Sequence, residues 1–236
     1  MLMNREIVLV VGGSRGIGLA IADHLSGKGY EVHIGARTPP PRRGDLPFHF
    51  VDATDLSSIQ SLLRDIRPHH VVTTCADVVR ANIVDLSYEQ ARHAFDAKFW
   101  AQANVALAFA RLGPGPREGS LTLTSGIASR STFPNVGIGG VINAALERLV
   151  QDIAATGTIR ANCISPGMIW SPAEDGGHQR SAQAEERLQR SLPSGYQPRT
   201  SDVALATELL IANRAINGST ITLDGGHLCV PLAGTT

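Results

Sequence analysis

The stretch Val8-Leu9-Val10-Val11-Gly12-Gly13-Ser14-Arg15-Gly16-Ile17-Gly18-Leu19-Ala20 holds the clearest chemistry in the chain. An apolar run of buried-strand type enters a turn spaced Gly12-x-x-x-Gly16-x-Gly18, and an apolar-periodic helix follows. Glycines allow a tight turn and a close backbone approach, while a helix N-terminus offers free N–H groups and partial positive charge. The chemistry this suits is binding of a nucleotide phosphate. Any tight strand-to-helix turn can use glycine, so the weight of the pattern comes from its strand–turn–helix setting.

The elements that would position this turn alternate between strand and helix. Gly16 to about Lys28 carries Ile17, Ala20, Ile21 and Leu25 at helical spacing and ends at Gly29. Glu31–Gly35 is the second strand, and the proline-rich stretch Thr38–Gly44 is a surface loop. Phe48–Val51 is the third strand, Asp55 or a neighbour caps a helix to about Arg67, and His70–Thr74 is the fourth strand. A long helix from about Ser87 to Leu112 ends at Gly113-Pro114-Gly115-Pro116. Strand Leu121–Ser125, helix Gly137–Ala155 and strand Ile159–Ile164 come next. Trp170–Thr200 reads as a loop with a short helix. Ser201–Asn213 is a helix capped by Ser201 or Asp202, and Thr220–Leu223 closes the sheet. The pattern predicts an α/β fold of Rossmann type, a doubly wound parallel sheet forming a single domain over 1–236.

Composition excludes several classes. The chain has 236 residues, 43% hydrophobic and 18% charged, with zero formal net charge, which favours neither nucleic acid nor an anionic membrane as partner. Cys75, Cys163 and Cys229 are scattered, so neither a disulfide framework nor a metal site is expected. No apolar run spans a bilayer and the first residues do not form a signal peptide, so the expectation is a cytoplasmic protein.

Four separated stretches give the chain its resemblance to the short-chain dehydrogenase/reductase family. They are Gly12–Gly18, Asp52 after the third strand, Arg160–Gly167, and Asn217–Gly226. The resemblance implies a nicotinamide cofactor. Gly12, Ser14, Arg15, Gly16, Ile17 and Gly18 would hold its pyrophosphate turn, and Asp52 with Ala53 would meet the adenine. Ala76 would lie along the ribose, and Pro166, Gly167 and Ile169 would meet the nicotinamide amide, with Ser171 nearby. An aspartate at position 52 could instead serve as a turn or capping residue. An NAD site places an acid at the end of strand two. Here that position reads Gly35-Ala36-Arg37, and Arg37 and Arg15 suit a 2′-phosphate, with Arg42 and Arg43 following. The expected cofactor is NADP(H) in preference to NAD(H). After strand four the family's Asn-Asn-Ala-Gly is replaced by Thr74-Cys75-Ala76-Asp77.

The family's proton donor is a tyrosine with a lysine four residues later, assisted by a serine and often by an asparagine on the long helix. In Val136–Leu149 the Asn143-Ala144-Ala145-Leu146-Glu147 run matches the pattern around that lysine. Asn143 then stands at the lysine position, where the resemblance implies contact with the cofactor, Gly139 at the tyrosine and Gly126 at the serine, with Ser125 adjacent. A one-residue shift gives Ile142 and Ile138 instead. No tyrosine or lysine occurs between Ser120 and Val150 in any register. Lys98 occupies roughly the asparagine's place, either as a packed stem with a solvated amine or as a charge beneath the cofactor. Gly137, Gly139 and Gly140 are expected to leave open volume where the tyrosine would stand.

Three functions follow from this reading. One is an NADP(H)-dependent oxidoreductase with a substitute proton donor, drawn from Lys98, Ser125, His178 and Tyr196. The second is a catalytically inactive NADP(H)-binding sensor or partner subunit, and the third a non-redox enzyme reusing the pocket. Phe95, Phe99, Trp100, Leu107 and Phe109 on the long helix lead to an expected homodimer or homotetramer.

Overall fold

The computed structural model describes residues 5–41, 45–77, 79–112, 119–172 and 181–230. Seven parallel strands are β1 (Ile7–Val11), β2 (Glu31–Ala36), β3 (Phe48–Phe50), β4 (His70–Thr73), β5 (Ser120–Thr124), β6 (Arg160–Pro166) and β7 (Thr220–Leu223). They lie in the order β3-β2-β1-β4-β5-β6-β7. The chain therefore winds one way from β1 through β3 and the other way from β4 onward. Helices diverge from the sheet at that reversal and leave a crevice beyond the strands' C-terminal ends.

The strands are near-continuous apolar runs because both faces are covered. On one face α1 (Gly16–Gly27) and α7 (Thr200–Ala212) pack against Val8, Val10, Ile34 and Ile164. On the other, α2 (Leu56–Ile66), α4 (Ala101–Leu112) and α5 (Gly139–Ala155) cover Leu9, Val11, Leu121 and Leu123. The long helix of the sequence is one continuous run in three parts: α3 (Tyr88–Ala94), a π-helical segment Phe95–Trp100, and α4. Ser87 and Gln90 close a reciprocal capping box at its start.

Local chemistry accounts for where the helix ends fall. Asp55 caps α2 by accepting from Ser57 N. Neither Ser201 nor Asp202 is the N-cap residue of α7. The helix starts at Thr200 behind Arg199, and Asp202 reaches back to accept from Arg199 N at 2.7 Å. Helix α5 starts at Gly139, two residues later than the expected Gly137, whose φ of 57° is left-handed and cannot continue a helix. The short helix within Trp170–Thr200 is α6 (Ala182–Ser191). The expected turn Gly113–Pro116, together with Arg42, Arg43 and His178, falls outside the described residues. Of the five large apolar residues on the long helix, Phe109 is buried and Phe95, Phe99 and Leu107 pack against the core, while Trp100 stays 48% exposed.

His70 marks the opposite end of the sheet from the crevice. Its Nδ1 pairs with Ser120 Oγ at 2.8 Å, and its Nε2 lies 3.5 Å from Glu6. Burial pushes its pKa down to about 4, against the opposing pull of Glu6. A histidine depressed when folded supplies stability that is present above its ordinary pKa and lost as pH falls toward the folded value. Unfolding free energy should therefore drop by about 2 kcal/mol from this group between pH 7 and pH 5. Denaturant titrations at the two pH values should show that loss in the native chain and less of it in His70→Gln.

Candidate active site

A cleft of 1270 Å³ occupies the crevice. Gly12, Ser14, Arg15, Gly16, Ile17 and Gly18 line it from the first turn, Arg37 from the end of β2, and Asp52 and Ala53 from the end of β3. Ala76, Lys98, Ser125 and Pro166 complete it, so the fold brings together most of the residues singled out in the sequence. Gly167 does not line the cleft, because it packs against Asp224, nor does Ile169, which joins the apolar layer beside α1 and α7. Tyr196 is also absent from the lining. Its hydroxyl donates to Asp202 at 2.8 Å, and that bond raises its pKa.

The first turn has the form of an anion cradle. Helix α1 has no side-chain cap at Arg15, so the N–H groups of its first turn remain available to a ligand. Gly18 cannot carry a side chain, since a Cβ there would collide with the Gly12 carbonyl and come within 2.5 Å of Thr74 Oγ1. Thr74 in turn donates to that carbonyl at 3.0 Å and fixes the turn. Across the cleft, Asp52 accepts from Thr54 N and Thr54 Oγ1 at 2.9 and 2.7 Å, and both bonds hold its pKa below the usual carboxylate value. Asp52 is thus a turn aspartate, and one that lines the cleft. Ser171 does not line the cleft; its Oγ is buried with no hydrogen-bond partner among the described residues. The uncapped helix end beside the glycine turn fits a bound ligand with phosphates.

The inner wall is built around Lys98. Its Nζ donates to Ser125 O at 2.9 Å and to Asn143 Oδ1 at 2.6 Å. Burial lowers its pKa to about 8, while Cys163 and Glu147 pull the other way. Lys98 is therefore held in the site and is not a packed stem with a solvated amine. Ser125 contributes its carbonyl, because its hydroxyl donates to Glu147 Oε1 at 2.8 Å, as does Ser129 Oγ at 2.7 Å. The open volume expected from three glycines shrinks to one position. A Cβ at Gly140 would lie 2.6 Å from Ala128 O, so this glycine lets α5 pack closely. Among the described residues, a Cβ at Gly139 would meet only Val136 Cγ1, at 3.1 Å.

Three residues that support the site escaped the sequence reading. Gln102, fully buried, donates to Cys75 O and Thr124 O and accepts from Thr73 Oγ1 and Thr124 N. Asn104 donates to Ala53 O and Thr54 O, tying the long helix to the loop after β3. Glu147 was recognised only as part of a sequence match. A glutamine among Ala101, Ala103 and Val105 was the available signal, since an apolar helix face rarely carries one without a partner.

Fold and cleft together define a dinucleotide-binding domain of the doubly wound class. The family model described as enoyl-(acyl carrier protein) reductase matches residues 11–227. A short-chain dehydrogenase/reductase of Malbranchea aurantiaca is 25% identical over 256 residues, covering 96% of both chains. The human 3-oxoacyl-[acyl-carrier-protein] reductase is 23% identical, covering 94% of this chain and 97% of its own. Among solved structures, a small-chain dehydrogenase in complex with NADPH is 30% identical, with a TM-score of 0.80 over 96% of this chain and all (100%) of its own. The chain belongs to the short-chain dehydrogenase/reductase family of oxidoreductases.

Gln102 yields a stability test. Gln102→Leu keeps the volume but strands polar groups on β4, β5 and the segment after β4. At about 1–3 kcal/mol for each buried group left unpaired, the variant should lose at least about 3 kcal/mol in denaturant unfolding.

Proposed function

We propose that this chain is an NADP(H)-dependent oxidoreductase with a non-standard active site, in which Lys98 replaces the usual proton donor. The observation that carries the reading is the Lys98 ammonium, fixed by two acceptors in the wall of a cleft whose far end presents Arg15 and Arg37. The cofactor preference is supported by those arginines, by Ala36 where an acid would select NAD, and by the NADPH bound to the 30%-identical structure. Gly12–Gly18 and the uncapped start of α1 would hold the pyrophosphate. Asp52 and Ala53 would meet the adenine, and Ala76 the ribose. Pro166, Gly167 and Ile169 would shape the nicotinamide end from the end of β6.

When bound, the reduced nicotinamide supplies hydride. The chain must then supply a proton to the atom that gains negative charge. An ammonium has three N–H groups, and Lys98 places two of them on Ser125 O and Asn143 Oδ1. The third has no acceptor among the described residues and is the one Lys98 can give up. Ser125 would act by holding Lys98 through its carbonyl. Trp100 on the long helix and Val141 on α5, 48% and 56% exposed, support a homodimer or homotetramer, which light scattering at micromolar concentration should detect.

Calorimetric titration should give tighter binding of NADPH than of NADH, and Arg37→Ala should narrow that preference at least tenfold. Equal affinities in the native chain would overturn the cofactor assignment.

Turnover should require the protonated form of Lys98 and therefore fall as pH rises through about 8, with Lys98→Met losing both the limb and most of the rate. NADPH binding without turnover on a broad carbonyl, imine and alkene panel would favour the sensor reading.

Ordinary ketones should be poor substrates, since a positioned acid–base residue is worth about 10²–10⁴-fold and the Tyr–Lys pair is missing. Gly139→Tyr with Asn143→Lys should raise ketone reduction more than the single changes multiplied together. Adding Lys98→Asn should help further, because Asn143→Lys alone sets two ammonium groups side by side. Rapid ketone reduction by the unaltered chain would refute the substituted site.

A further inference from the structure

We propose that Asn143 is the positioning residue for Lys98, and that position 126 is a glycine to admit the Asn143 amide. The inference deepens the role given to Lys98 above and rests on that reading for its catalytic meaning.

Asn143 sits on α5, is only 5% exposed, and faces Lys98 across the gap between two helices. Its amide orientation follows from its partner, since an ammonium can only donate and so takes Oδ1. That leaves Nδ2 pointing at Gly126, where a Cβ would lie 2.9 Å away. Gly126 has φ 163° and ψ 152°, extended backbone open to any residue, so glycine here answers to space and not to conformation. Lys98 leaves from a π-helical segment, whose wider turn breaks the i→i+4 ladder at the point where the side chain must be aimed. The second acceptor, Ser125 O, lies one residue from Gly126, so a backbone oxygen of this turn and the amide packed against it hold the lysine together. The two acceptors suit both protonation states. A neutral amine still donates two N–H groups to them, and its lone pair then occupies the third direction. Lys98 can thus release and recover a proton without changing its contacts.

The test reads Lys98 in the cofactor-free protein, by acylation with an amine-directed reagent across pH and peptide mass spectrometry. The native midpoint should lie near pH 8. Asn143→Asp puts a carboxylate against the ammonium and should raise the midpoint, making labelling at pH 8 at least tenfold slower. Asn143→Leu keeps the volume but removes the acceptor and should lower the midpoint, as should Gly126→Ala, which pushes the amide aside. Opposite shifts from Asp and Leu would not come from a merely structural asparagine. If Asn143→Asp leaves the midpoint where it was, the proposal fails. That variant is nearly isosteric, so it decides the matter even if Asn143→Leu does not fold. Saturating NADPH separates the two readings. It should slow labelling of Lys98 in the native chain. Without such protection Lys98 is not at the cofactor, while the midpoint shifts still decide the role of Asn143.

Discussion

Gln102 uses both amide hydrogens and both acceptor directions of its side-chain oxygen within one buried knot. Its oxygen takes Thr73 Oγ1 and Thr124 N, and its nitrogen gives to Cys75 O and Thr124 O. Thr124 Oγ1 closes the knot by donating to Thr73 O at 2.8 Å. These bonds lie just past the end of the β4–β5 ladder, where the chain turns toward the cleft. An unpaired polar group at such a depth would be costly, so the long helix has one workable setting against the sheet. Lys98 lies four residues earlier on that helix and inherits its place from this setting. Ser125, the next residue after Thr124, inherits its place from the same knot.

The parts of this arrangement that were legible in the sequence are those with a local signature. A strand leading through Gly12, Gly16 and Gly18 into a helix can be read because the turn, the close approach and the helix start all act within a few residues. The alternation of apolar runs and amphipathic stretches gives a doubly wound sheet for the same reason. Absence of tyrosine and lysine from Ser120 to Val150 is likewise a property of the chain alone. What the sequence hid depends on partners distant in the chain. Gln102 and Asn104 look like interruptions of an apolar helix until β4, β5 and the loop after β3 are brought to them. Gly140 looks like lost helix propensity until Ala128 O is seen against it. The start of α7 misled because Asp202 works from inside the helix, backward to Arg199 N.

Charge near Lys98 is arranged so that its proton is held but not locked. Glu147 is near enough to favour the ammonium, yet its Oε1 is occupied by Ser125 and Ser129, and Arg130 approaches it at 3.7 Å. A direct ion pair would hold the proton strongly and raise the lysine well above neutral pH. Full burial with no acceptor would discharge it instead. Burial lowers the group, Cys163 and Glu147 pull it back, and it rests between those limits, at about 8. Ser125 is the hinge of this balance, since its carbonyl faces the lysine and its hydroxyl faces the carboxylate. Catalysis by proton transfer is most efficient when the donor's pKa lies near the working pH. The polar network behind Lys98 therefore does more than satisfy hydrogen bonds. It also holds the ammonium at one point of the cleft wall, where burial keeps its pKa near 8.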